Sequence, residues 1–321
     1  MSALLEVKDL SKYFKTPNGL LHAVDHVSFD IPERTTLGVV GESGCGKSTL
    51  GRAILALNEA TGGQVLFDGK DITHPKGSTK KFLKKNLQII FQDPFSSLDP
   101  RKSIRQLIAE PMRINHMCGS RAELDRKIHE MVDTVGLPER YLTSFPHELD
   151  GGCRQRVGIA RALSVEPRFI VCDEPVSALD VSIQAQVLNL MSDLQRERGL
   201  TYLFITHNLS VVKHFADDIM VMYCGCMVEK APKKSLFSMP MHPYTKGLLS
   251  AIPVPSLHVE HKRVLLKGEI TSPVDPAPGC RFCARCEFAT EECSRRMPPI
   301  EEIEPGHFVA CHNARKINGL D

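Results

Sequence analysis

The sequence lacks any long apolar run, since no stretch approaches the roughly 18 residues that a membrane-spanning helix needs. It also lacks a basic segment followed by a long apolar stretch near Met1, so we expect no secretory signal peptide. The apolar content of 42% and the charged content of 24% are typical of a soluble globular protein. A formal net charge of +2 argues neither for nor against a nucleic-acid partner.

The 11 cysteines are unevenly placed. Without a signal peptide we expect a reducing compartment, where clustered cysteines indicate metal binding rather than disulfides. Four thiolates suit either Zn²⁺ or an iron–sulfur cluster, and free thiols are the third alternative. The cluster lies near the carboxyl end and consists of Cys280, Cys283, Cys286, Cys293 and Cys311.

One glycine-rich segment, Gly41–Ser48, has the pattern G-x-x-x-x-G-K-S between an apolar run and a helical stretch that we place at Lys47–Leu57. This context of strand, loop and helix is typical of a phosphate-binding loop. The glycines allow successive backbone N–H groups to face the phosphates of a nucleotide. We expect Lys47 to reach the β- and γ-phosphates and the Ser48 hydroxyl to bind Mg²⁺.

Polar side chains follow three later apolar runs. Asp173 and Glu174 end one run, and this pattern predicts a carboxylate that holds Mg²⁺ through water beside one that polarises the attacking water. His207 ends another run, at the same edge of a parallel sheet, and Gln92 ends a third, where it could bridge Mg²⁺ and a water molecule. Taken alone, Gln92 is more typical of a surface residue.

The order of the apolar runs predicts an α/β protein. Strands that alternate with helices indicate a parallel sheet, and the segment 4–31 indicates antiparallel strands added to it. Residues 103–163 have mainly helical periodicity, which predicts an inserted helical subdomain. Residues 231–279 are rich in proline and turn formers, which predicts a linker before the cysteine-rich end.

Taken in order, these motifs resemble those of the ATP-binding subunits of ABC transporters over residues 4–230. The matching features are the phosphate loop Gly41–Ser48, Gln92, the signature 149–153, the strand 169–173 with Glu174, the loop 177–180 and His207. Three further features resemble the oligopeptide/dipeptide importer branch. They are the Arg154-Gln-Arg segment, the stretch Met241-His-Pro-Tyr-Thr-Lys-Gly-Leu-Leu-Ser250 and the cysteine-rich end.

The resemblance implies an ABC-type P-loop NTPase domain at residues 1–230, with an antiparallel β-subdomain and a helical subdomain at about 95–163. A proline-rich extension follows at 231–279 and a small cysteine-rich region at 280–321. Lys47, Glu174 and His207 are the implied catalytic residues, and the implied Mg²⁺ ligands are Ser48, Gln92 and Asp173. The residues implied to contact ATP are Phe14 (rather than Tyr13) stacked on adenine, Gly41, Ser43, Gly44, Cys45, Gly46, Lys47, Ser48, Thr49 and Gln92, with Asp150, Gly151 and Gly152 of the signature.

For the cysteine-rich region, the resemblance implies a [4Fe–4S] cluster on Cys280, Cys286, Cys293 and Cys311. Cys283 departs from the family's pattern. It creates C-x2-C pairs that also suit Zn²⁺, so a different ligand set stays open.

The resemblance also implies a mechanism and partners. Two ATPase subunits enclose two ATP molecules, and each site joins one subunit's phosphate loop to the other's signature. The implied partners are two transmembrane permease subunits, a second ATPase and, indirectly, an extracytoplasmic solute-binding protein, without nucleic acid. We expect a peripheral location on the cytoplasmic face of the membrane and the import of short peptides. Nickel chelates or glutathione-like substrates are the alternative, and a soluble ABC ATPase without a transport role is a more distant one.

The signature departs from the family's Leu-Ser-Gly-Gly-Gln, because Asp150 replaces the serine and Cys153 replaces the glutamine. Aspartate caps a helix as well as serine does. A carboxylate facing a γ-phosphate is unfavourable, since two unit charges about 4 Å apart repel by roughly 4 kcal/mol at an effective dielectric constant near 20. Arg154 or protonation of Asp150 would soften this repulsion. We therefore predict a weak site at this signature and favour a heterodimer.

Overall fold

The computed structural model describes residues 3–93, 97–252, 266, 268 and 272–320. Its contacts divide the chain into two units. The first comprises Pro32–Thr35 and Pro75–Ile205, and the second comprises Ala3–Ile31, Thr36–His74 and Thr206–Asp321. Within these described ranges, every helix is too short or too polar to cross a membrane.

The strands are numbered in chain order. They are β1 (Ala3–Thr16), β2 (Gly19–Pro32), β3 (Thr36–Val40), β4 (Gly62–Phe67), β5 (Lys70–Asp71), β6 (Leu87–Ile90), β7 (Phe169–Asp173), β8 (Thr201–Ile205), β9 (Asp218–Tyr223), β10 (Cys226–Pro232), β11 (Glu301–Glu304) and β12 (His307–Val309).

The α-helices of the described residues are numbered in the same way. They are α1 (Lys47–Ile54), α2 (Gly77–Asn86), α3 (Ile104–Ile114), α4 (Arg121–Thr134), α5 (Gly151–Leu163), α6 (Val181–Arg198), α7 (Leu209–Phe215), α8 (Lys233–Ser238), α9 (Pro243–Ser250), α10 (Glu291–Arg295) and α11 (Ala314–Asn318).

The first unit contains three neighbouring parallel strands, in the order β6, β7, β8. Strands β7 and β8 are buried along their whole length, as expected for a parallel sheet covered on both faces. The register places Asp173 opposite Ile205, so both strands end at the same level. This alignment is why Asp173 and Glu174 lie at the carboxyl edge of the sheet.

Helices α3, α4 and α5 of the first unit lie where the sequence periodicity predicts helical structure. Each begins at a side chain that caps it. The hydroxyl groups of Ser103 and Ser120 accept from the backbone N–H groups of Gln106 and Glu123, and the Asp150 carboxylate accepts from Cys153. Such caps satisfy N–H groups that have no partner within the helix.

The second unit contains two groups of strands. One has the order β2-β1-β4-β5, with β4 antiparallel to both β1 and β5, which is the predicted antiparallel β-subdomain. The other has the order β11-β12-β10-β9-β3. Only β3 and β9 are parallel in this second group, whereas the remaining neighbours are antiparallel. Strands β9 and β10 are joined by a turn at Gly225, whose φ of 83° is accessible to glycine.

Helix α1 ends at Ile54, earlier than the predicted Leu57. Ala56 has a φ of 51°, its N–H donates to Ala53 O, and the Leu57 N–H donates to Arg52 O. This is the Schellman pattern that closes a helix through a left-handed residue. Without a glycine at this position, the sequence gives little sign of the early end.

The segment predicted as a linker, 231–279, contains helices α8 and α9. Leu236 of α8 and Tyr244 of α9 are fully buried in an apolar cluster that also contains Tyr223 and Phe282. The part of the predicted linker at 253–265, 267 and 269–271 lies outside the described residues.

Candidate active site

The phosphate loop leaves the buried strand β3 and enters helix α1. Gly41 and Gly46 have φ angles of 153° and 106°. A Cβ atom on Gly46 would lie 1.9 Å from Ala23 O, and one on Gly41 would lie 2.2 Å from Met222 O. Only glycine therefore fits at these two positions, because both the backbone angles and the close approach of neighbouring carbonyls exclude a side chain.

The Lys47 ammonium is held inside the curve of this loop. Its Nζ donates to Gly41 O and to Glu42 O, both at 2.9 Å, and lies 3.7 Å from the Cys45 sulfur. Lys47 is buried, with only 4% of its surface exposed. These bonds fix a positive charge at the N-terminal end of α1, where the helix dipole also favours an anion.

The other predicted loop residues differ in exposure. Ser43 and Gly44 are exposed, whereas Cys45 is buried, and burial raises the pKa of its thiol. Ser48 and Thr49 lie partly exposed in the first turn of α1. The accessible residues are thus those at the tip of the loop and at the helix start.

Two further predicted residues, His207 and Phe14, belong to the same unit as the phosphate loop. The Thr206 N–H donates to Val39 O, which places the exposed His207 close to the end of β3. In β1, Tyr13 donates its hydroxyl hydrogen to Asp25 at 2.5 Å and stacks on His22. Phe14 is partly exposed, with the Lys12 ammonium 4.7 Å from its ring centre. Phe14 is therefore the freer of the two aromatic rings.

The first unit brings Gln92 and Glu174 together. Gln92 Nε2 donates to Glu174 Oε2 at 3.0 Å. Glu174 has a φ of 48°, and its N–H donates to Ile205 O, so its backbone turns at the end of β7. Asp173, the preceding residue, is 98% buried because it still belongs to the strand. A φ in this range is uncommon for a non-glycine residue and is found at turns and at functional sites.

The signature lies at the start of α5. Asp150 Oδ1 accepts from the Cys153 N–H at 2.7 Å, and this bond lowers the pKa of the carboxyl. Arg154 lowers it further by charge, although its Nε donates to Pro146 O. A Cβ atom on Gly152 would lie 2.7 Å from a methyl carbon of Ile183 in α6. The aspartate is therefore an ionised helix cap in the subunit, which disfavours protonation as a way to soften its repulsion of phosphate.

All five cysteines of the carboxyl-terminal region line one small cavity. Its lining residues are His242, Pro243, Cys280, Phe282, Cys283, Cys286, Phe288, Cys293, Pro298, Cys311, His312, Asn313 and Ile317. Burial raises the pKa of the Cys280 thiol to about 12 and that of Cys311 to about 11. Across the described ranges, no group of three or more His, Cys, Asp or Glu side chains is arranged around a point as ligands of one metal ion.

Sequence reasoning missed two residues that contact the phosphate loop. Arg285 and Tyr244 of the carboxyl-terminal part both bond to Glu42. They are separated from Glu42 by 243 and 202 positions, so no local pattern connects them.

Two family models match the chain. Residues 24–177 match the ABC transporter family, and residues 228–293 match the family described as oligopeptide/dipeptide transporter, C-terminal region. The second match covers residues 280–293 of the cysteine-rich region.

Full-length relatives agree with these matches. The oligopeptide transport ATP-binding protein AppF of Bacillus subtilis is 49% identical over 319 residues, covering 96% of this chain and 97% of the relative. The oligopeptide transport ATP-binding protein OppF of the same organism is 50% identical over 313 residues, covering 97% of both chains.

Among solved structures, a dimeric ATP-binding cassette bound to ADP and Pi superposes with a TM-score of 0.66 at 27% identity, covering 71% of this chain and 98% of that one. CbiO1 of Clostridium perfringens, part of an ABC transporter complex, has a TM-score of 0.66 at 26% identity, covering 74% and 92%. These likenesses confirm the predicted ABC-type P-loop NTPase fold. The chain belongs to the ATPase subunits of oligopeptide/dipeptide ABC transporters.

Proposed function

We propose that this chain is one ATPase of an asymmetric pair that powers the import of short peptides. The observation that carries the proposal is the combination of an intact phosphate loop with an aspartate in the signature. The intact phosphate loop lets the subunit prepare ATP for hydrolysis. The aspartate weakens the site that this subunit's signature completes for the partner. The relatives' names specify oligopeptides, which favours peptides over nickel chelates or glutathione-like substrates. Membership of a transporter family argues against a soluble ATPase without a transport role.

Each predicted residue has a role consistent with its surroundings. Lys47 neutralises the β- and γ-phosphates, and the loop's N–H groups bind their oxygens. Glu174 accepts a proton from the attacking water, and the Gln92 amide, which already bonds Glu174, holds that carboxylate in place. His207 contacts the γ-phosphate from the end of the strand β8, and Phe14 stacks on adenine.

For Mg²⁺, we propose the ligands Ser48, Gln92 and Asp173. Hydroxyl, amide and carboxylate oxygens are the donors that this hard cation prefers. When held by these residues, Mg²⁺ would supply positive charge that neutralises the phosphate oxygens.

The signature of this subunit is the weak part of the pair. Asp150 is ionised, and its negative charge lies at the start of α5, where we propose that the partner's nucleotide binds. A serine hydroxyl would donate to a γ-phosphate oxygen, whereas a carboxylate can only accept. We therefore propose a heterodimer with a partner ATPase whose signature has the family's serine.

The test is Asp150→Ser in the assembled transporter, with the ATPase turnover and the trapped ATP measured. We expect turnover to rise toward about twice the wild-type value, because removing the screened repulsion adds a second working site to the one that is already competent. Asp150→Asn is the matched control, since it removes the charge but supplies no hydroxyl. Unchanged turnover and ATP occlusion in both variants would show that the signature site is not limited by Asp150.

We propose two permease subunits as the membrane partners and the cytoplasmic face of the membrane as the location. A solute-binding protein delivers the peptide to the permeases and does not contact this chain. We propose no nucleic-acid partner, because peptide import requires none. Co-purification of the chain with the two permeases tests this assignment, and a chain that stays in the soluble fraction when they are co-expressed argues against it.

For the cysteine cavity, we propose a [4Fe–4S] cluster on Cys280, Cys286, Cys293 and Cys311. The residues fit such a group, because thiols from separated parts of the chain line one buried cavity. Thiolates also hold Zn²⁺, which is the alternative occupant of this cavity. The resemblance of the cysteine spacing to that of the importer branch favours the four-iron cluster, which would stabilise the fold of this small region.

The prediction is that anaerobically purified protein is brown and contains about four iron atoms and four sulfides per chain. Cys293→Ser should abolish the colour, whereas Cys283→Ser, at the position outside the family's pattern, should preserve it. A colourless wild-type protein that contains zinc would overturn the cluster, and equal loss in the two variants would overturn the ligand assignment.

A further inference from the structure

The phosphate loop is held by two side chains from the carboxyl-terminal part of the same unit. Arg285 forms a two-point ion pair with Glu42, with Nη1 to Oε2 at 2.9 Å and Nη2 to Oε1 at 3.2 Å. The Tyr244 hydroxyl accepts from the Glu42 N–H at 2.9 Å. Glu42 is the second residue of the loop, directly after Gly41. Its backbone and its side chain are thus both fixed from outside the nucleotide-binding motif.

A buried aromatic cluster holds these two side chains. The ring of Tyr223 meets the rings of Tyr244 and Phe282 edge-on, with centroids 4.7 and 5.3 Å apart. Arg285 Nη1 also lies 3.4 Å from the Tyr223 hydroxyl oxygen, and its guanidinium carbon lies 5.7 Å from the Tyr223 ring centre. All three rings are at least 98% buried. A guanidinium confined between rings and a carboxylate loses little entropy on pairing.

The bonds continue from Glu42 to the catalytic lysine. Glu42 O accepts from Lys47 Nζ at 2.9 Å, as does Gly41 O. The position of the Lys47 ammonium therefore depends on the orientation of the Glu42 peptide groups, which Tyr244 and Arg285 set. Arg285 also offsets the Glu42 charge, which would otherwise repel nucleotide phosphates from the loop.

Arg285 and Tyr244 together form a clamp on Glu42. Through Arg285, this clamp is attached to the cysteine-rich region. Arg285 ends a short 3-10 turn, Cys283–Arg285, and Cys286 follows it directly. Both cysteines of this segment line the cysteine cavity. The turn is closed by a bond from the Cys286 N–H to Cys283 O at 3.3 Å. Any change in the fold of the cysteine cavity therefore reaches Arg285.

We propose that Arg285 and Tyr244 are positioning residues for the phosphate loop, so that ATP affinity depends on the folded cysteine-rich region. Hydrogen bonds connect these two residues to Glu42, and Glu42 to Lys47. The proposal is independent of the transported substrate, of the partner ATPase and of the metal in the cavity.

The test measures equilibrium binding of a fluorescent ATP analogue to the full-length subunit carrying Arg285→Gln. We expect the Kd to rise about tenfold or more, as for loss of a hydrogen-bonded buried ion pair. Arg281→Gln is the matched control, because Arg281 lies in the same region, is equally buried, and pairs instead with Asp25 of β2 at 2.6 Å. Its Kd should stay within about twofold of wild type.

Two further variants separate positioning from general destabilisation. Arg285→Lys keeps the charge but not the two-point geometry, so we expect partial recovery of affinity. The double variant Glu42→Gln/Arg285→Gln should bind no more weakly than Arg285→Gln alone, because the two changes remove the same contact. In ATP hydrolysis the defect should lie mainly in KM. Equal Kd values for the Arg281 and Arg285 variants, or an unchanged Kd in a folded Arg285→Gln protein, would overturn the proposal.

Discussion

Asp150 shows how one side chain can serve the fold and oppose the chemistry. Its carboxylate caps α5 through the Cys153 N–H, which lowers its pKa below the ordinary aspartate value. Because its pKa is lowered, the Asp150 carboxyl stays ionised throughout the neutral range. The folded state favours the charged form of this carboxyl more strongly than the unfolded state does. The same bond that stabilises the helix start therefore maintains the charge that disfavours a phosphate.

This ionisation extends the Asp150→Ser test to a pH series. We expect the ratio of Asp150→Ser turnover to wild-type turnover to stay constant from about pH 8 to about pH 6, because the wild-type carboxyl does not take up a proton in this window. A ratio that falls toward one as the pH is lowered would show that Asp150 is protonated in the closed dimer.

At the scale of single residues, local pattern predicted the phosphate loop well. Gly41, Gly46 and Lys47 are placed by steric limits that act within a few positions of the chain. The contacts of Arg285 and Tyr244 with Glu42 could not be predicted, since they depend on packing between segments more than 200 positions apart. The contacts between the phosphate loop and these two residues therefore exist only in the folded protein.

Among the elements, β10 and β12 are joined by a buried carboxylate. Glu229 has no exposed surface and accepts from the N–H groups of Met241 and His242 at 2.8 and 3.0 Å. His307 Nε2 lies 2.6 Å from its Oε1. Three segments of the carboxyl-terminal part thus meet at one side chain.

Glu229→Ala should lower the free energy of unfolding by about 3 kcal/mol, because it leaves two buried N–H groups without acceptors. Thermal or urea unfolding of the subunit measures this loss. Glu301→Ala, an exposed glutamate in the neighbouring strand β11, is the control and should change stability by less than about 0.5 kcal/mol. Similar losses in the two variants would show that the buried bonds are not the cause.

Prediction of elements succeeded where periodicity is strong and was less accurate at boundaries. Helix α1 ends early because Ala56 adopts the left-handed conformation, which the sequence does not indicate. The proline-rich segment predicted as a linker holds helices α8 and α9, whose apolar side chains are buried in the second unit. Proline occurs in linkers and is also favoured in the first turn of a helix, where Pro243 lies in α9. A proline-rich composition therefore does not distinguish a linker from a segment with short helices.

For the whole molecule, the order of motifs predicted the fold and the family. The sequence does not specify the partner, because in the proposed mechanism another subunit completes the ATPase site. Our central claim is that this chain contributes the competent catalytic half to one site and the weak signature to the other.

The most direct measurement compares two substitutions in the assembled transporter. One is Glu174→Gln, and the other replaces the corresponding catalytic glutamate of the partner ATPase. We predict that Glu174→Gln lowers ATP hydrolysis at least about 100-fold. The partner substitution should leave more than half of the activity, because its site uses the Asp150 signature. Equal losses from the two substitutions would contradict the asymmetric account.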